Sequence, residues 1–171
     1  QTFVVHARIA ILAGLSPKEN REIPPLRYED VYRLKREFPQ LEIHINGGIK
    51  TVAEIREHWQ HTDGVMIGRA AYHDPGVSLI GADALWGDDF APDAFAVVEA
   101  MRPYIADHLA RGGRLHQITR HMLGLFHGRP GARSWRRLLS EGASRPGAGL
   151  EVLDAALAEV AGLTVGQTDL G

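Results

Sequence analysis

The sequence predicts an α/β fold: the C-terminal part of a (β/α)8 TIM barrel followed by an all-α helical domain. Three observations carry this. An apolar run at 41–45 closes on Asn46-Gly47-Gly48, and a second at 64–67 closes on Gly68-Arg69, about twenty residues later. Each run precedes a segment with helical spacing, the alternation that builds parallel sheets. From Ala94 onward the strand-like runs cease and only helical patterns follow.

The elements follow in order. Phe3-Val4-Val5 is β-branched and apolar and reads as a strand ending at His6-Ala7-Arg8. Residues 9–27 contain Gly14, Pro17, Pro24 and Pro25, so they read as a long loop, and loops of that length are usually functional. Residues 28–38 place apolar side chains at 28, 31, 32, 34 and 38 and form a helix that Pro39 stops. After the strand at 41–45, Thr51 and Glu54 make a capping box for a helix over 52–59. The strand at 64–67 leads into a short helix that Pro75 ends, and 76–93 reads as a connection. Helices are predicted at 94–111, 114–126, 131–141 and 150–161, separated by glycine- and proline-rich turns, with a frayed tail after Ala161. The expected boundaries are 1–93 for the barrel part and 94–171 for the helical domain.

Three strand–helix units cannot close a barrel of eight. The chain also opens at Gln1, directly into a strand-like run. Both point to an absent N-terminal half.

The 171 residues carry a net charge of −2, so the chain as a whole is not built as a polyanion binder. The distribution differs. Residues 101–145 hold nine arginines, no lysine and only two acids, Asp107 and Glu141. An arginine-only block suits a planar anionic partner such as RNA; its bland alternative is a solvated helical face. There is no cysteine, which excludes disulfides, cysteine metal sites and cysteine nucleophiles from this stretch. The histidines at 116, 121 and 127 lack metal-ligand spacing, so no metal is expected. No apolar run approaches the length of a membrane span.

The candidate site collects at the C-terminal ends of the strands, where barrel chemistry resides. The glycines at 47, 48 and 68 let backbone N–H groups approach phosphate oxygens, and Arg69 can add a charged contact. His6 at the end of the first strand can hydrogen-bond a ligand. Lys18, Arg21 and Arg27 lie in the long loop, either over a barrel mouth or as plain solvated charge. Arg129, Arg133, Arg136 and Arg137 surround Trp135, which reads equally as a base-stacking group or as core.

The run HARIAILAGLSPKENREIPPLRYEDVYRLKREFPQLEIHINGGI resembles the tRNA-dihydrouridine synthase family, specifically its A subfamily. DGVMIGRAAYHDP and ITRHMLGLFHGRPGARSWRRLLSE extend the likeness over about residues 2–145. The resemblance implies an FMN-dependent barrel with a helical tRNA-binding domain. NADPH would reduce the flavin, and uridines 20 and 20a of the tRNA D-loop would be reduced to dihydrouridine. It implies flavin contacts at His6, Asn46, Gly47, Gly48, Gly68 and Arg69, and tRNA contacts at Lys18, Arg21, Arg133 and Arg136. It implies a cytoplasmic monomer. The family's catalytic cysteine has no counterpart among these residues, so the chain alone is expected to be inactive. Ile9 stands where the family usually has lysine, and Ile11 replaces a common aromatic. Two alternatives stand beside this reading: a non-catalytic tRNA-binding truncated product, and another phosphate-binding barrel enzyme.

Overall fold

The computed structural model describes residues 1–88 and 92–165, with backbone alone for 163–165. They divide into two compact units: residues 1–71 with 77–79, and 72–76 with the described residues from 80 onward.

The first unit is built on three parallel strands in the order β1 (Thr2–His6), β2 (Glu42–Asn46) and β3 (Gly64–Met66). The register pairs Val5 with Ile45 and His6 with Asn46, and Asn46 in turn with Met66. Side chains alternate across the pleat, so Ile43 and Ile45 share one face and are fully buried. His6, Asn46 and Met66 form one rung at the strands' C-terminal ends.

Three crossover segments connect and follow these strands. The long loop contains one short helix, α1 (Pro17–Asn20), where the sequence predicted loop throughout; the Ser16 hydroxyl accepts from the Glu19 N–H, and the Glu19 carboxylate accepts from the Ser16 N–H. α2 (Tyr28–Glu37) carries Glu29 and Asp30 in its first turn and Lys35 and Arg36 in its last, a charge order that complements the helix dipole. α3 (Val52–Trp59) starts on the predicted capping box, with Thr51 Oγ1 accepting from Glu54 N at 3.1 Å. Asp63 ties the turn before β3 back to the sheet: its carboxylate accepts from Ile43 N at 2.8 Å and pairs with Lys35 at 2.7 Å. α4 (Arg69–His73) follows β3.

The second unit is helical. After α5 (Pro75–Ser78) and a 3₁₀ turn at Ala82–Trp86 come α6 (Ala94–Ala110), α7 (His116–Thr119), α8 (Ala132–Glu141) and α9 (Leu150–Val165). α9 runs past the predicted end at Ala161; the rest of the tail expectation lies outside the described residues. The predicted helix over 114–126 is a correction. Only α7 is helical, and 120–127 is a string of tight turns such as Met122 N to Thr119 O and Leu125 N to Met122 O. The Met122 carbonyl accepts both from Leu125 N within the turn and from Trp135 Nε1, each at 3.1 Å. Trp135 is completely buried and stacks edge-on against Phe126, with ring centres 4.8 Å apart. It is core, which removes the reading of Trp135 as a base-stacking surface group. Leu115, Ile105, Leu139, Leu153 and Val160 complete this interior.

Candidate functional site

At the C-terminal rung of the sheet, His6 Nδ1 lies 2.8 Å from Asn46 Oδ1, and Asn46 Nδ2 donates to the Met66 carbonyl at 2.7 Å. A carbonyl can only accept, so the second bond fixes which end of the amide faces which way. Asn46 Oδ1 therefore accepts from a protonated His6 Nδ1. In a neutral ring, His6 Nε2 is then a lone-pair acceptor, and it is buried with no partner among the described residues. A buried, unpaired ring nitrogen beside a glycine turn fits a ligand that supplies an O–H or N–H. Only the imidazolium would donate there.

Gly47 and Gly48 sit at φ of +121° and +72°. A Cβ on Gly47 would stand 3.3 Å from His6 Cε1, and one on Gly48 would stand 2.6 Å from Leu26 Cδ1. The turn thus needs glycine both for its backbone angles and for its closeness to His6. Tyr28 fixes the turn from below: its hydroxyl donates to the Gly47 carbonyl at 2.8 Å. Its ring packs on His58 at 4.3 Å, and His58 Nδ1 shares a 2.5 Å hydrogen bond with the Tyr32 hydroxyl. Burial lowers the His58 pKa, so the ring is held neutral.

Gly68 differs. A Cβ there would meet nothing within 4 Å, and its φ is not in the left-handed region. Arg69, which follows it, is already engaged. Its guanidinium donates to the Glu22 carboxylate at 2.5 Å and to the Arg21 carbonyl at 3.3 Å. This brings the long loop, with Arg21 and the neighbouring α1, onto the start of α4. Lys18 and Arg21 are exposed, whereas Arg27 pairs with Asp30 at 2.6 Å. The sequence reasoning singled out neither Glu22 nor Tyr28; Tyr28 was legible only as an apolar helix position.

The nine arginines of the helical unit divide by partner. Arg102 bridges Glu99 and Asp154 at 2.7 and 2.6 Å, Arg111 pairs with Asp107, and Arg114 donates to the Ser144 carbonyl at 3.0 Å. These three are committed within the fold. Arg120, Arg129, Arg133, Arg136, Arg137 and Arg145 make no ion pair with a described carboxylate, and all six are exposed. α8 buries Ala132, Trp135 and Leu139 on one face, which turns Arg133, Arg136 and Arg137 outward. Among the described residues no group of three or more acidic or imidazole side chains could hold a metal ion. No described helix is long and apolar enough to cross a membrane.

A parallel α/β sheet thus ends in a left-handed glycine turn beside a histidine whose Nε2 has no partner among the described residues. The chain belongs to the dihydrouridine synthase (Dus) family, whose model matches residues 1–161. It is similar to the tRNA-dihydrouridine(20/20a) synthase of Yersinia pestis, at 57% identity over 94% of this chain and 47% of the relative. It is similar to those of Salmonella typhimurium, at 56% over 94% and 49%, and of Shewanella oneidensis, at 55% over 98% and 49%. The chain spans about half the length of the curated relatives it matches.

Proposed function

We propose that these residues supply the phosphate-holding edge and the tRNA-binding helices of an FMN-dependent tRNA-dihydrouridine synthase. In this reading residues 1–93 belong to a TIM barrel and 94–171 to a helical tRNA-binding domain. The substrate is uridine 20 or 20a in the D-loop, the reductant is NADPH, and the protein is a cytoplasmic monomer. The observation that carries the reading is the unpaired, buried Nε2 of His6 beside the left-handed Gly47-Gly48 turn.

The residues fit a flavin. His6 and the N–H groups of Gly47 and Gly48 would hold it, Gly68 would let its chain approach closely, and Arg69 would neutralise phosphate charge. Asn46 would bind chiefly by orienting: its amide holds the His6 ring with Nε2 free and anchors β3 through Met66. A bound flavin would supply the hydride for uridine C6. Lys18 and Arg21, on the loop that Arg69 holds, would contact the tRNA backbone, as would Arg133 and Arg136 on the outward face of α8. The chain contains no cysteine, so the family's proton donor for C5 is not among these residues.

The test is flavin content and dihydrouridine formation. The protein in its full reading frame should purify yellow and add two hydrogens per target uridine in an unmodified tRNA transcript, read by mass spectrometry. Residues 1–171 alone should oxidise no NADPH. A colourless full-frame protein that leaves the transcript unchanged would refute the proposal.

A further inference from the structure

The second unit holds a cleft of about 360 Å³ whose polar lining includes Tyr72, Asp74, Arg120, His121, His127 and Arg136. That volume is in the range that takes one small ligand. Gly124 forms its floor, where the chain passes so close to the His73 carbonyl that a Cβ would clash at 2.3 Å.

The hydrogen bonds set each group's chemistry. Arg120 Nε lies 3.0 Å from His121 Nε2. A guanidinium only donates, so Nε2 offers its lone pair and the neutral His121 ring carries its proton on Nδ1. Nδ1–H then donates to the Tyr72 oxygen at 2.9 Å, which leaves the tyrosine's own O–H to donate elsewhere. Arg120 spends only Nε on this bond and keeps both terminal NH₂ groups for a ligand. On the far side His127 Nδ1 pairs with Asp74 at 2.8 Å, and the exposed Arg136 adds a cation with no carboxylate partner among the described residues. Two permanent cations and one carboxylate give the lining an excess of one positive charge. That matches a phosphodiester, which carries one negative charge, better than a terminal phosphate. The half-exposed Tyr72 ring beside it offers a face to a base.

We propose that this cleft is a nucleotide subsite for RNA, with Arg120 and Arg136 on a backbone phosphodiester, the Tyr72 hydroxyl donating to it, and His121 positioning Arg120. The subsite rests on the tRNA reading above, shares Arg136 with it, and adds Tyr72, Arg120 and His121.

The test is binding of an unmodified tRNA transcript to the chain across a salt series, read by fluorescence anisotropy, with melting temperatures as a fold control. Arg120→Ala should weaken binding roughly ten-fold and flatten the log–log salt slope by about 0.7–0.9, the loss of one phosphate contact. Arg120→Lys should restore the slope but not the affinity, because lysine cannot fork onto two oxygens. His121→Ala should weaken binding on its own yet add nothing to Arg120→Ala, as a positioning residue must. Should Arg120→Ala lower the melting temperature, Arg120→Gln replaces it with the same expected slope change. Unchanged slope and affinity in a chain whose wild type binds tRNA would overturn the subsite alone. A wild-type chain with no salt-sensitive binding would overturn the tRNA reading and the subsite together.

Discussion

Arg69 is held by Glu22: the guanidinium donates to that carboxylate at 2.5 Å while also reaching the Arg21 carbonyl. Both side chains are about half exposed, so the pair contributes only about 0.2–1 kcal/mol. An anion can therefore draw Arg69 away at small cost, and Glu22 acts as its competitor. Glu22→Gln should tighten FMN about two- to five-fold in the apo-protein, read by flavin fluorescence titration. Arg69→Ala should loosen FMN by ten-fold or more, since a charged hydrogen bond contributes about 1.5–3 kcal/mol. If Glu22→Gln loosened FMN instead, Arg69 would serve to hold the loop and not the phosphate.

The glycines at the two strand ends should separate in their response to a methyl group. Gly48→Ala puts a side chain at φ +72° and 2.6 Å from Leu26, a cost of about 1–2 kcal/mol from the backbone alone. Gly68→Ala meets no atom and should change stability by less than about 0.5 kcal/mol. If Gly68 is open because a phosphate comes close, Gly68→Ala should still weaken FMN. Urea unfolding together with flavin titration reads both; a Gly68→Ala protein with full stability and full FMN affinity would remove Gly68 from the site.

Much of this was legible locally. The strands, the Thr51–Glu54 capping box and the glycine turns lie within a few residues of their causes, so pattern reading reached them. What it missed depends on distant partners. Ser16-Pro17-Lys18-Glu19 carries the same S-x-x-E pattern as Thr51–Glu54, yet four prolines and glycines nearby pointed to loop. The 114–126 segment has helical spacing, but its turns pack around a distant partner: Trp135, thirteen residues after Met122, donates to the Met122 carbonyl beside Leu125 N. The arginine block was visible as charge; which members were free was not, because Asp154 lies fifty-two residues from Arg102 and Ser144 thirty from Arg114.

His58 gives the first unit a pH dependence of definite sign. Burial lowers its pKa below the usual 6.5, so the unfolded chain takes up the proton before the folded one does. Stability should fall as pH drops from about 6.5 toward the folded-state value and then level off. Asp63 and Glu54 act in a lower window. The Lys35 and Ile43 hydrogen bonds lower the Asp63 pKa, and for Glu54 the Lys50 and Thr51 bonds outweigh its burial. Their contributions are intact above their ordinary values of 3.8 and 4.5 and fade only as pH falls past them. Urea midpoints at pH 7.5 and 5.5 should therefore differ in the wild type and converge in His58→Gln. An equal drop in the variant would assign the effect to another group.

Trp135 and Arg133 are neighbours on α8 with opposite roles, and the two should fail in opposite ways. Trp135 is fully buried against Phe126 and donates to Met122, so Trp135→Ala should cost about 3–5 kcal/mol and unfold much of the helical unit. Arg133 is exposed and has no carboxylate partner among the described residues, so Arg133→Ala should leave the melting temperature within a degree or two. Its effect belongs to the polyanion instead. The salt slope of tRNA binding should flatten by about 0.7–0.9 while flavin affinity stays unchanged, because the residue lies on α8 and not on the sheet edge that carries His6. A variant of Arg133 that lowers the melting temperature and spares the salt slope would make the outward face of α8 structural. It would move RNA recognition to the other arginines of that unit.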